Sequence, residues 1–190
     1  VPLGITAADT IAVSPTALTT IVLADACEAF GHIDGGEGQL YVETTLGDPY
    51  FDRVRPGDRI DLKVRVEKAG TYRWCVVSGW AKDAANGTFR LFLDGEQITE
   101  PLANQVPGID WRTWQDSTPG TVKLPAGEHT LSLVTDTAGP NLYALKLAPE
   151  GVELSVPEGT VPLCEADSNT PVQVYTDYAI QFCMTVPFDY

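Results

Sequence analysis

From Gly57 to Trp74 the chain reads Gly-Asp-Arg-Ile-Asp-Leu-Lys-Val-Arg-Val-Glu-Lys-Ala-Gly-Thr-Tyr-Arg-Trp. Ile60, Leu62, Val64 and Val66 are apolar, and Asp61, Lys63, Arg65 and Glu67 between them are charged. A period of two places the first set on one face of a β-strand and the second set in water; no helix has that period. Ala69-Gly70 then turns the chain, and Thr71-Tyr72-Arg73-Trp74 opens a second strand. One wet face and one apolar face on neighbouring strands belong to an antiparallel sandwich or barrel. The segment therefore sets the class as all-β, and it names no chemistry.

The same reading extends along the chain. Further strands are expected at Thr20 to Leu23, Leu40 to Glu43, Thr88 to Leu93, Thr121 to Leu124, Thr130 to Val134 and Leu142 to Leu147. Asp94-Gly95 separates Phe89-Arg90-Leu91-Phe92-Leu93 from Glu96-Gln97-Ile98, the pattern of a two-residue hairpin. Pro125-Ala126-Gly127-Glu128 makes a similar turn. One helical turn is expected within Asp25 to Phe30. Three parts emerge: an N-terminal arm (1–19) holding the strand Thr10 to Val13, a main sandwich (20–148), and a C-terminal extension (149–190). The extension is punctuated by Pro149, Pro157, Pro162 and Pro171 and carries a hairpin of Val172 to Thr176 with Ala179 to Met184.

Charge narrows the function classes. The 190 residues hold 26 acidic against 12 basic side chains, a net charge of −14. Nucleic acid and anionic membranes repel such a surface, because phosphate recognition needs clustered Lys and Arg. Nor is there an apolar run approaching the ~18 residues that a membrane-spanning helix requires. The start, Val1-Pro2-Leu3-Gly4, shows no basic segment followed by an apolar one, so a leader is either removed or not used.

Chemistry-bearing residues are few. His32 and His129 stand apart, the latter in a strand entrance, and no nucleophile elbow, phosphate loop or HExxH motif is present. A hydrolase would need two carboxylates about 5–10 Å apart, a separation that spacing in a sandwich does not reveal. Asp34-Gly35-Gly36-Glu37-Gly38 is an acidic loop with oxygen ligands for calcium or simply a solvated loop. Asn86-Gly87-Thr88 is a glycosylation sequon. Cys27, Cys75, Cys164 and Cys183 lack metal-type spacing. They form either two disulfides, Cys164 with Cys183 and Cys27 with Cys75, or buried free thiols.

Between about residues 20 and 148 the chain resembles carbohydrate-binding modules of the family 6 and family 35 type. The resemblance rests on Gly57-Asp58-Arg59-Ile60 through Ala69-Gly70-Thr71-Tyr72 and on Leu91-Phe92-Leu93-Asp94-Gly95. It continues through Trp111-Arg112-Thr113-Trp114, Leu124-Pro125-Ala126-Gly127-Glu128-His129-Thr130-Leu131 and Asn141-Leu142-Tyr143, in the family's order over about two-thirds of the chain. It implies a jelly-roll sandwich with a sugar site among the loops at one end. Tyr50 or Phe51, Trp111 or Trp114, and Asn141 would make that site, aromatic faces stacking on a pyranose and the amide bonding its hydroxyls.

Two departures stand out. Where the family carries two acidic calcium ligands, this chain has Ile21-Val22-Leu23-Ala24-Asp25, leaving Asp25 as the one candidate ligand. Arg59 and Leu62 occupy positions where the family has aromatics. The resemblance implies a non-catalytic module that binds a polysaccharide or other glycan at an extracellular or particle surface. The strand-forming ends offer an alternative, a structural subunit of a surface assembly that pairs with identical or other subunits.

Overall fold

The computed structural model describes residues 9–35, 39–45, 47–82 and 87–154, with two further strands at 172–177 and 180–185. β1 (Ile11–Val13), β2 (Thr19–Val22), a helical turn α1 (Leu23–Ala26) and β3 (Cys27–His32) come first. β4 (Tyr41–Glu43), β5 (Tyr50–Asp52), β6 (Asp58–Val66), β7 (Gly70–Gly79) and β8 (Thr88–Leu93) follow. Then come the short β9 (Glu96–Gln97), β10 (Leu102–Ala103) and β11 (Gln115–Asp116). β12 (Gly120–Leu124), β13 (Gly127–Thr135) and β14 (Asn141–Pro149) complete the main body. β15 (Val172–Asp177) and β16 (Ile180–Thr185) pair with each other as a two-stranded sheet.

Two sheets form a jelly-roll sandwich. The first runs β1-β6-β13-β8-β10, with β3 also on β6 and β9 also on β8. The second runs β11-β7-β14-β5-β4, with β12 on β7 and β2 on β14. The long strands are antiparallel, and β1 alone among the described strands lies parallel to its neighbour, Ile11 opposite Val64 on β6. The apolar side of the opening segment faces the core as the alternation requires: Ile60, Leu62, Val64 and Val66 are buried against Leu131 and Leu133 of β13 and Trp74 and Val76 of β7. Each such side chain contributes about 1.5–3 kcal/mol.

The polar side is less wet than the alternation implies. Asp61 is buried on the outer face, where its carboxylate accepts the Ser132 hydroxyl at 2.6 Å and meets Arg59 Nε at 3.1 Å. The Asp94-Gly95 hairpin forms as expected, with φ of 51° and 87° at the two turn residues and Leu93 paired with Glu96.

Some expectations are corrected. The helical turn ends at Ala26, and Cys27–His32 is an edge strand whose register on β6 shifts between Cys27 and Ala29. That bulge hides the strand's alternation from the sequence. Cys27 and Cys75 do not bond; both are free and buried. Cys27 lies in the core between the sheets, whereas Trp74 and Val76 point into that core and so send Cys75 to the opposite face of β7, among Ala148 and Leu154. Burial pushes the Cys75 thiol up to about 12, which makes it a poor nucleophile. The Cys164–Cys183 pairing and the Asn86 sequon lie outside the described residues.

The expected N-terminal arm is built into the first sheet from Ile11 onward, with Val13 fully buried. The chain divides into one compact unit ending at Leu154 and a second beginning at Ser155. No helix among the described residues is long and apolar enough to cross a membrane.

Candidate functional site

β7 ends and β14 begins at the same edge, with Gly79 opposite Asn141. The connection from β10 to β11, residues 104–114, lies across that edge, and several bonds hold its backbone. Asn104 Oδ1 accepts the N–H groups of Val106 at 3.1 Å and Thr118 at 3.0 Å, and Asn104 N donates to the Gly87 carbonyl at 3.0 Å. Ile109 bridges to Ala81, next to the buried Trp80. Asp110 Oδ1 accepts the N–H groups of Arg112 at 2.8 Å and Thr113 at 2.7 Å, closing an Asx turn. The Thr113 hydroxyl and these N–H groups hold the Asp110 carboxyl below the usual aspartate range.

The next residue is fixed from below. The Trp111 carbonyl accepts Asn141 Nδ2 at 2.9 Å. Gly79 sits directly beneath it, and a Cβ there would come within 2.6 Å of that oxygen. With its backbone held on this edge, Trp111 leaves its side chain 43% exposed, and Ile109 nearby is 58% exposed. The loop thus presents an apolar surface whose backbone is already ordered.

The other expected site residues lie elsewhere or serve the scaffold. Trp114 is half-buried, stacked on Tyr143 with ring centroids 5.1 Å apart and edge-on to Tyr50 at 5.2 Å. A sugar held between two rings needs about 7–8 Å between them, two van der Waals contacts of ~3.5–4 Å. Tyr50 and Trp114 are closed on each other, and Tyr50 is buried. Phe51 is a correction: alternation along β5 sends Tyr50 outward and Phe51 into the core, where it is fully buried and meets Phe30 edge-on. Asn141 is 5% exposed and donates one amide N–H to Trp111.

Arg59 and Leu62, at the family's aromatic positions, pair with Asp61 and fill the core. Asp25 is exposed in α1, and among the described residues no three His, Cys, Asp or Glu side chains converge as metal ligands. Both histidines latch turns. His32 bonds Asp34 at 2.6 Å and the Pro56 carbonyl at 3.0 Å, contacts that raise its pKa, Asp34 first; His129 bonds Asp94 at 2.8 Å.

Sequence reasoning missed Gly79, Asp110 and Ile109. The Asp110-x-x-Thr113 spacing is a readable turn signal, while the close approach at Gly79 depends on which strands meet there and leaves no local trace.

No protein-family model matches the sequence, and no curated protein matches it. Solved structures do. The C-terminal family 6 carbohydrate-binding module of the laminarinase LamC from Zobellia galactanivorans matches with a TM-score of 0.56 and 18% identity, over 69% of this chain and 98% of that one. A family 35 module from Clostridium thermocellum matches with a TM-score of 0.53 and 18% identity, over 70% and 98%. A module of Cellvibrio mixtus lichenase 5A, solved with cellotriose, matches with a TM-score of 0.50 and 21% identity, over 68% and 95%. The chain has the carbohydrate-binding-module fold.

Proposed function

We propose that this chain is a non-catalytic glycan-recognition module, acting at an extracellular or particle surface, with Trp111 as its stacking platform. The observation that carries this reading is an exposed indole on a loop whose backbone is bonded at Asn104, Asp110 and Trp111 itself. An indole face stacks on the C–H face of a pyranose, and a loop ordered beforehand loses little entropy on binding. The net charge of −14 disfavours anionic polysaccharides, so neutral glycans are the preferred class.

Isothermal titration against laminarin, barley β-glucan, xylan and dextran tests the reading. Binding to one of them is expected, with Trp111→Ala abolishing it while the unfolding midpoint stays unchanged. Wild-type protein that binds none, or a Trp111→Ala variant that binds equally well, overturns it.

A structural subunit is the second reading. Its support is β15–β16, a two-stranded sheet past the compact unit that ends at Leu154. Two strands alone are marginal in water, and a two-stranded sheet suits addition of a neighbour's strand. Light scattering of the full chain tests it, and a monomer at high concentration would exclude it.

A further inference from the structure

We infer that in this chain Asn141 acts through Trp111, as a positioning residue that sets the stance of that side chain. The inference rests on the glycan reading above. Its basis is geometric: Asn141 is 5% exposed as a residue and donates one amide N–H to the Trp111 carbonyl at 2.9 Å. That N–H serves the Trp111 carbonyl, and removing it would strand the carbonyl.

The neighbouring residues serve the same contact. Gly79 pairs with Asn141 across β7 and β14, and having no Cβ it lets the Trp111 carbonyl settle onto the sheet edge. Asp110 fixes the turn from the side before Trp111, through the N–H groups of Arg112 and Thr113. The Trp111 backbone is thereby held at its own carbonyl and by the turn that encloses it, while the indole stays free for a ligand. Asn141 begins β14, so its side chain is as well placed as the central sheet, and the loop inherits that precision.

Asn141→Asp tests the assignment, since it keeps the shape and replaces the N–H donor with a carboxylate facing a carbonyl oxygen. Trp111 has its own optical signature: Trp74 and Trp80 are buried and Trp114 is half-buried, so acrylamide quenches chiefly the Trp111 emission. Subtracting the same measurement on Trp111→Phe isolates it. In Asn141→Asp, the Trp111 quenching constant and its rotational freedom are expected to rise. Kd for the polysaccharide bound by the wild type should rise about tenfold, the scale of one misplaced aromatic contact.

Gly79→Ala pushes the same carbonyl from the other side and should give the same pair of changes. It also serves if Asn141→Asp fails to fold. Lost affinity with unchanged Trp111 quenching would make Asn141 a direct ligand and overturn the inference, as would no change in either measurement. Wild-type protein that binds no polysaccharide overturns the glycan reading instead, and the quenching comparison still decides whether Asn141 holds Trp111.

Discussion

Asp58 shows how one buried charge sets a pH dependence. It is 2% exposed; Oδ2 accepts the Arg55 N–H at 2.7 Å, while Oδ1 has no hydrogen-bond partner. Burial raises its pKa above the usual aspartate range, against the lowering effects of the Arg55 N–H and of His32 and Arg55. The folded state then holds the proton more tightly than the unfolded chain does. Its ionisation therefore costs stability at neutral pH, and that cost fades as pH falls through the raised value. Asp58→Asn keeps an acceptor for Arg55 and removes the charge. The variant should match or exceed the wild type at neutral pH, by no more than about 1 kcal/mol, and the gap should close in acid. Urea midpoints across pH check this; a variant clearly weaker at neutral pH would mean that Arg55 and His32 favour the ionised form. Asp94 has the opposite sign, held low chiefly by its His129 hydrogen bond, so its contribution is lost as pH falls through that lowered value. Gly57-Asp58 was visible in the sequence as a strand entrance, yet nothing local signalled that the carboxylate would be enclosed.

The long elements were legible, and the short ones only in part. β6, β7, β13 and β14 run nine or ten residues, long enough to be read as strands, and in β6 the alternation also assigned the faces. β5, β10 and β11 have two or three residues, too few for any period, and they exist because a longer neighbour offers an edge. The site followed the same division. A Trp pair three residues apart marked the loop, but only the sheet edge beneath it decides that Trp111 is exposed and Trp114 lies on Tyr143. The Asp94-Gly95 turn was readable because its chemistry is local: both residues sit at positive φ, which Asp tolerates and Gly prefers. Gly95→Ala should therefore cost about 1–2 kcal/mol, and Gly95→Asn less. Thermal unfolding of the two variants tests this, and equal midpoints would show that the turn does not need the left-handed conformation.

At the scale of the molecule, the thiols report on how the main unit is closed. Cys75 lies on the outer face of β7, covered by Ala148 and Leu154 with Leu18 and Val152 against them. The end of the compact unit is thus also the lid over that face, and a chain cut after Leu154 keeps it. Such a chain retains both sheets and only Cys27 and Cys75. It should unfold cooperatively, and Ellman's reagent should find essentially no reactive thiol in the native state, since both are buried and burial raises both pKa values. In denaturant it should find two, because the pair is not oxidised. Two thiols in denaturant and none before it is the expected result; none in either state would establish the Cys27–Cys75 bond after all. Cutting instead after Pro149 removes Leu154 and Val152 and uncovers the Cys75 face alone. Native reactivity should then rise to one thiol per chain, because Cys27, on β3, remains enclosed between the two sheets.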